Sequence, residues 1–427
     1  MWFRRDLRLH DNAALYHSLR TGMPVVPIFI FDKYILDDLE DKDDQRVSFI
    51  YLALEKMQEQ LLKLESTLEV YYGHPEDVFK SILKTYEVEC VYANNDYEQY
   101  AIDRDDAIAA LLKTNGAEFK PYKDQVVFEK GEVLKDDGTA YTVFTPYSRK
   151  WKATLNDFYL KEYPTEKYFS NLYKQEENKF PSLNEMGFKE TKEKFPSAEF
   201  KKDLIKNYTE TRNFPGINGT SRYGVHLRFG TISARQLTAR VKGLNETFLN
   251  ELIWREFYQM ILWNFDHVRK GSSFKLEFDK LQWRNNNEEF DVWTKGKTGY
   301  PIVDAGMRQL NATGFMHNRV RMITASFLTK HLLIDWRWGE AYFAKKLLDY
   351  DFASNVGGWQ WASGSGVDAA PYFRIFNPTL QAKKFDPELR YIKKWVEEIN
   401  SFDYPQPMID HEFARKRALE FFKKGFN

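Results

Sequence analysis

Two carboxylates, Asp349 and Asp351, stand two residues apart, after a helical pattern and before a loop. Carboxylates that close repel unless something pairs them, and Arg319 and Arg321 are plausible partners. Thr220-Ser221-Arg222-Tyr223-Gly224 gathers two hydroxyls, a guanidinium and a glycine within five residues. Such a set can donate side-chain and backbone hydrogen bonds to a pyrophosphate, although a capping turn would use the same residue types. Glu251 and Arg255 share a helix face at i,i+4 spacing, where an ion pair is the ordinary outcome. Trp336, Trp338, Trp359 and Trp361 crowd one stretch that also holds Gly357-Gly358. An indole can give up an electron as well as fill a core, and core packing is its common use.

The elements that must place these groups fall into two kinds. Up to about residue 125 the chain alternates strand and helix signals. Residues 25–31, 68–72 and 90–93 are short β-rich runs, and residues 46–64 and 75–86 show helical spacing. That alternation predicts a parallel sheet with crossover helices. No GxGxxG follows the first strand and no Walker A motif is present, so neither nucleotide fingerprint applies. Residues 126–195 are polar, with charged tracts and prolines at 121, 146, 164, 181 and 196 in or beside them, and read as a connection. From about residue 200 strand signals fade. Helices are expected over 251–263, 302–311, 320–333, 340–348 and 391–399. The expected division is 1–125, 126–195 and 196–427.

Composition sets bounds. The 427 residues are 43% hydrophobic and 29% charged, ordinary globular values. Aromatics reach 16%, and nine of the 11 Trp lie after residue 250. The single cysteine, Cys90, excludes an internal disulfide and a Cys-ligated cluster and fits a reducing cytoplasm. The eight histidines show no ligand spacing, so no metal is expected. No stretch approaches the ~18 apolar residues of a membrane span. Net charge is zero, yet Lys206, Arg212, Arg222, Arg228, Arg235, Arg240 and Lys242 face only Glu210 between 206 and 242. Such a cluster is either a phosphate-binding patch or a solvated face.

Trp2-Phe3-Arg4-Arg5-Asp6-Leu7-Arg8, the run from Trp336 to Asn377, and Asp403-Tyr404-Pro405-Gln406-Pro407 together resemble DNA photolyases of class I, which act on cyclobutane pyrimidine dimers. The resemblance spans nearly the whole chain. It implies an α/β N-terminal Rossmann-like parallel-sheet domain and an all-α helical C-terminal domain that binds FAD and DNA. It also implies sites, residue by residue. Thr220, Ser221, Arg222, Tyr223 and Gly224, with Tyr208 upstream, would hold the FAD phosphates; serine is common where Gly224 stands. Asp349 would pair with Arg321 beside the flavin, Tyr350 and Asp351 would follow at its edge, and Asn355 would face flavin N5. Trp359, Trp336 and Trp283 take the positions of the tryptophan triad that refills an excited flavin.

The same resemblance places Glu251, Trp254, Asn318, Met322 and Trp361 around an extruded dimer, with Arg212, Arg255, Arg319 and Arg374 on the DNA. Extrusion of the damaged bases is the family's known behaviour. Glu98 and Lys270 fall where folate-type relatives hold methenyltetrahydrofolate; deazaflavin or no antenna is the alternative. The implied partner is UV-damaged DNA, met by a monomer with no obligate protein partner and no membrane, in the cytoplasm or at the nucleoid of a bacterium. The (6-4) photolyases carry a histidine pair where this chain has His317-Asn318, which favours the cyclobutane dimer. A blue-light cryptochrome is the rival, and it usually adds a C-terminal tail beyond the segment matching 403–407. A dark flavin oxidoreductase would need a nicotinamide site that the sequence does not display.

Overall fold

The computed structural model describes residues 1–191 and 194–426. Its contacts divide the chain into two interleaved units. The first comprises Met1–Glu132, Lys152–Glu199 and Arg222–Lys242; the second comprises Val133–Trp151, Phe200–Ser221 and the chain from Gly243 onward. This differs from the expected division at 125 and 195, because the supposed connection is shared between the units and residues 222–242 return to the first.

In the first unit the order is β1 (Trp2–Phe3), α1 (Ala13–Leu19), β2 (Ile28–Asp32), α2 (Gln45–Leu62), β3 (Glu69–Gly73), α3 (Pro75–Thr85), β4 (Cys90–Asn94), α4 (Gln99–Thr114) and β5 (Glu118–Tyr122). All pairings are parallel: β1-β2-β3 form one sheet and β4-β5 another. The predicted runs are present with shifted ends. Pro27 has no N–H to give a ladder, and β2 starts just after it. β2 is buried along its whole length, as a strand covered on both faces should be. β5 was not anticipated. Its residues are mostly exposed and include Pro121, the signature of an edge strand.

Charge, not only apolar packing, closes this unit. Arg8 pairs with Asp124 at 2.7 Å, and Arg235 reaches Asp11 at 3.0 Å and Asp124 at 2.8 Å, all with side chains at most 5% exposed. Burial pushes the Asp124 carboxyl up, but Arg8 and Arg235 hold it below its ordinary value. This corrects the expected basic patch. Arg235 is a buried ion-pair partner, Arg228 is bound to Glu98, and residues 206–242 are divided between units. A sum of charges along the sequence cannot see counter-charges a hundred or more residues away.

Every strand of the described residues lies before residue 123. The second unit is built from α5 (Phe144–Thr154, whose last turn crosses the division), α6 (Glu246–Asn264), α7 (Pro301–Thr313), α8 (Asn318–Ser326), α9 (Trp336–Lys346), α10 (Phe352–Ser363) and α11 (His411–Gly425), with shorter turns between them. The helix expected over 320–333 is α8 followed by a π turn at Phe327–His331. The helix expected over 391–399 spans only Arg390–Trp395. Helix ends follow local chemistry: Asn245 caps α6 through Phe248 N, and Pro301 opens α7 while Gly314, at φ 63°, closes it. α10 was missed by periodicity because it is apolar on nearly every side. It packs against α6, α8 and α9. Two glycines permit this. A Cβ on Gly357 would sit 2.2 Å from the Tyr258 ring, and one on Gly339 would sit 2.1 Å from the Trp359 ring. Among the described residues no helix is long and apolar enough to cross a membrane, and no cluster of His, Cys, Asp or Glu is arranged to hold a metal.

Candidate active site

A cavity of about 380 Å³ opens within the helical unit. α6 lines it with Glu251, Trp254, Arg255 and Tyr258, and α8 with Asn318, Arg321 and Met322. α10 adds Asn355, Gly358, Trp359 and Trp361; Asp349 and Asp351 come from the loop before it, and Arg212 from the 200–221 segment. Residues proposed for a lesion and residues proposed for a flavin thus meet in one chamber. Tyr258, Phe343 and Leu347 also line it and carried no signal in the sequence beyond apolar spacing.

The two carboxylates are separated electrically. Arg321 Nη2 donates to both oxygens of Asp349 at 2.9 Å, while its Nε donates to the Met316 carbonyl at 2.8 Å. Asp351 caps α10, accepting from Ser354 N at 3.0 Å and Ser354 Oγ at 2.8 Å. A carboxylate at a helix N-terminus is stabilised by the helix dipole. Arg319, the other candidate partner, instead donates to Asn213 Oδ1 at 2.7 Å and lies 4.5 Å from the Phe385 ring centre.

Glu251 pairs with Arg212 at 2.5 Å. Burial raises its carboxyl above the ordinary value, and Arg212 opposes that rise. Burial depresses the Arg319 guanidinium, and the neighbouring Arg212 and Arg374 push it down further, with Glu251 opposing. Three guanidiniums and one carboxylate therefore share this region, and Arg374 is exposed. A surplus of guanidinium charge suits an incoming phosphate.

Asn355 is oriented by a residue that the sequence did not single out. Its Nδ2 donates to the Glu340 carbonyl at 3.1 Å and to Glu340 Oε1 at 2.9 Å. The amide's remaining polar atom is Oδ1, an acceptor. No sequence pattern links positions 15 residues apart on different helices, so Glu340 could not be found by spacing.

Trp359 and Trp336 are each 2% exposed and belong to one core cluster; Trp283 is half-buried against Phe421. Trp336 opens α9, and Gly339, one turn along, receives the Trp359 ring. The Trp336 indole donates to Ser273 Oγ at 3.2 Å. Trp293, not anticipated, meets Trp359 edge-on with centroids 6.1 Å apart.

Other predicted residues lie outside the lining. Tyr208 packs on Phe248, with Arg212 over its ring. The segment 220–224 changes units after Ser221; Arg222 is exposed at φ 57°, and Gly224 begins a short helix. Tyr223 is 3% exposed and its hydroxyl donates to the Glu199 carbonyl at 2.7 Å. Tyr350 is half-buried just ahead of α10. Both residues expected at an antenna form ion pairs. Glu98 accepts from Arg5 at 2.8 Å and from Arg228, and Lys270 pairs with Asp266 at 2.6 Å.

The chamber suits a flavin nucleotide on its own terms. Five aromatic rings and three other apolar side chains offer surface to a flat ring system, and nine charged or polar residues are available to its polar atoms and phosphates. Gly358 faces it with nothing within 4 Å of where a Cβ would stand, leaving bare helix surface for a flat ring.

Comparison with known proteins agrees. Residues 1–167 match the DNA photolyase family model, and residues 248–403 match the model for the FAD binding domain of DNA photolyase. A Vibrio cholerae deoxyribodipyrimidine photo-lyase is 36% identical over 99% of this chain and 98% of its own. Among solved structures, a class III photolyase from Agrobacterium tumefaciens superimposes with TM-score 0.86 at 32% identity, covering 99% of this chain and 96% of the other. An archaeal photolyase from Sulfolobus tokodaii with two FAD molecules gives 0.83 at 34%, covering 99% of both chains. A Synechocystis cryptochrome gives 0.83 at 25%, covering 98% of both. The chain therefore belongs to the DNA photolyase family, and its helical unit contains that family's FAD-binding domain.

Proposed function

We propose that this protein uses light to split cyclobutane pyrimidine dimers in UV-damaged DNA, as a monomeric class I enzyme of the cytoplasm, associated with the nucleoid in a bacterial host. The observation that carries this reading is the shared chamber. Glu251, Trp254, Asn318, Met322 and Trp361 line the same cavity as Arg321, Asp349, Asp351, Asn355 and Trp359. Bound FAD would supply the light-driven electron exchange that opens the cyclobutane ring.

The protein's own residues do the rest. Trp254 and Trp361 offer apolar surfaces to two stacked pyrimidines and keep water away. Glu251, its carboxyl raised by burial, can hold a proton and offer it as a hydrogen bond to a base edge; charge forming in a dry site is best met by donors already in place. Asn355, held by Glu340, keeps an acceptor at the position that the family resemblance assigns to flavin N5. Arg212, Arg319 and Arg374 position the phosphates, which fixes the duplex without reading its sequence. Trp359, Trp336 and Trp283 supply the cofactor with electrons and take no part in holding the lesion.

That separation of roles gives the test. In FAD-loaded Trp359→Phe, light-driven reduction of the oxidised cofactor is lost, while dimer repair persists once FAD is reduced chemically. Loss of both activities with FAD retained contradicts the assignment.

A further inference from the structure

The cavity's aromatic surface has a backing that no part of the lining supplies. Phe144, the first residue of α5, stacks face to face on Trp254, with ring centroids 3.8 Å apart and planes 5° from parallel. Phe257 meets the Trp254 ring edge-on at 5.6 Å. Trp254 lines the cavity and Phe144 does not. One face of the indole is therefore covered from behind, and the cavity receives what remains. The Phe144 backbone N–H, otherwise unsatisfied at a helix start, donates to Asp368 Oδ2 at 3.1 Å. Asp368 stands at φ 46° in the loop between α10 and Arg374.

α5 itself is firmly seated. Tyr147 packs on Phe257 at 5.1 Å, and the buried Trp151 indole donates to Glu256 at 2.6 Å. Phe144, Tyr147 and Trp151 follow i, i+3, i+7, one face of a helix laid along α6.

We propose that Phe144 is a positioning residue for damaged-base recognition. It fixes the Trp254 indole by stacking and, through its amide, ties that indole to the loop that leads to Arg374. The aromatic surface and the phosphate-facing loop are thereby set together by one residue. This inference rests on the dimer-repair reading above. Without the stack, Trp254 can turn about its side-chain torsions, and a dimer must order it on binding.

The test compares wild type with Phe144→Ala, Phe144→Leu and Phe144→Trp, all FAD-loaded. Binding is measured to a thymine-dimer oligonucleotide and to its undamaged twin. Loss of this parallel aromatic contact predicts a loss of preference for the dimer of about fivefold in Phe144→Ala and Phe144→Leu. Undamaged-DNA binding, FAD content and light-driven FAD reduction stay at wild-type levels, and Phe144→Trp restores the preference. A general packing role would lower all of these together. Phe144→Leu keeps the apolar volume and settles the matter if Phe144→Ala does not fold. A Leu variant that discriminates as wild type does overturns the proposal. Wild-type protein that shows no preference for the dimer at all overturns the repair reading instead.

Discussion

Arg235, buried, and Arg319, half-buried, are the same residue type and behave oppositely. Arg235, in the α/β unit, lies between Asp11 and Asp124, whose charges hold its guanidinium above the ordinary value despite burial. Arg319, in the helical unit, is depressed by burial and by two neighbouring arginines. In the first unit buried charge is neutralised and closed. In the second it is left in surplus beside a cavity. The difference teaches where to look for function: a partly desolvated cation without its full counter-charge has an energetic reason to welcome a phosphate, and a fully paired one does not.

Mutation of each arginine should break the comparison in opposite ways. Arg235→Met leaves Asp11 buried without its guanidinium and Asp124 with Arg8 alone, and should cost about 3–5 kcal/mol of stability, read by denaturant melting of the α/β unit. Arg319→Ala should leave the melting transition nearly unchanged but weaken binding to damaged DNA, and flatten the dependence of log affinity on log salt by about 0.9 for the lost phosphate contact. Equal loss of stability in both variants would remove the distinction.

A smaller effect sharpens it. The Glu251 carboxyl is raised in the folded protein, so the folded state binds that proton more tightly than the unfolded chain does. The associated stability is present at low pH and is lost as pH rises through the raised value. Damaged-DNA binding that uses the protonated carboxyl as a donor should fall over the same window, by about fivefold for one hydrogen bond. Glu251→Gln, a permanent donor, should bind with no such fall. A Gln variant that retains the wild-type pH profile would show that another group titrates.

Much of this architecture was legible in the sequence, and the failures have physical causes. The strands at Ile28–Asp32, Glu69–Gly73 and Cys90–Asn94 announce themselves through local β-rich composition. Two close carboxylates called for a partner and left Arg319 and Arg321 open; the family resemblance singled out the Arg321–Asp349 pair that the fold contains. α5 was lost because prolines and charged tracts surround it, although Phe144, Tyr147 and Trp151 carry the helical spacing that marks it. The basic cluster of 206–242 misled because Asp11, Asp124 and Glu98 approach it only in the fold. Glu340 and Asn355 meet across two helices, a contact no local pattern encodes.

The most direct test of the whole account is repair itself. FAD-loaded protein is reduced anaerobically, mixed with a thymine-dimer oligonucleotide and illuminated with blue or near-UV light, and the absorbance of intact thymines near 260 nm is followed beside a dark control. The account predicts recovery in the light and none in the dark. A tightly bound, photoreducible FAD with no recovery in either would contradict it and assign the chamber to a different lesion or to light sensing.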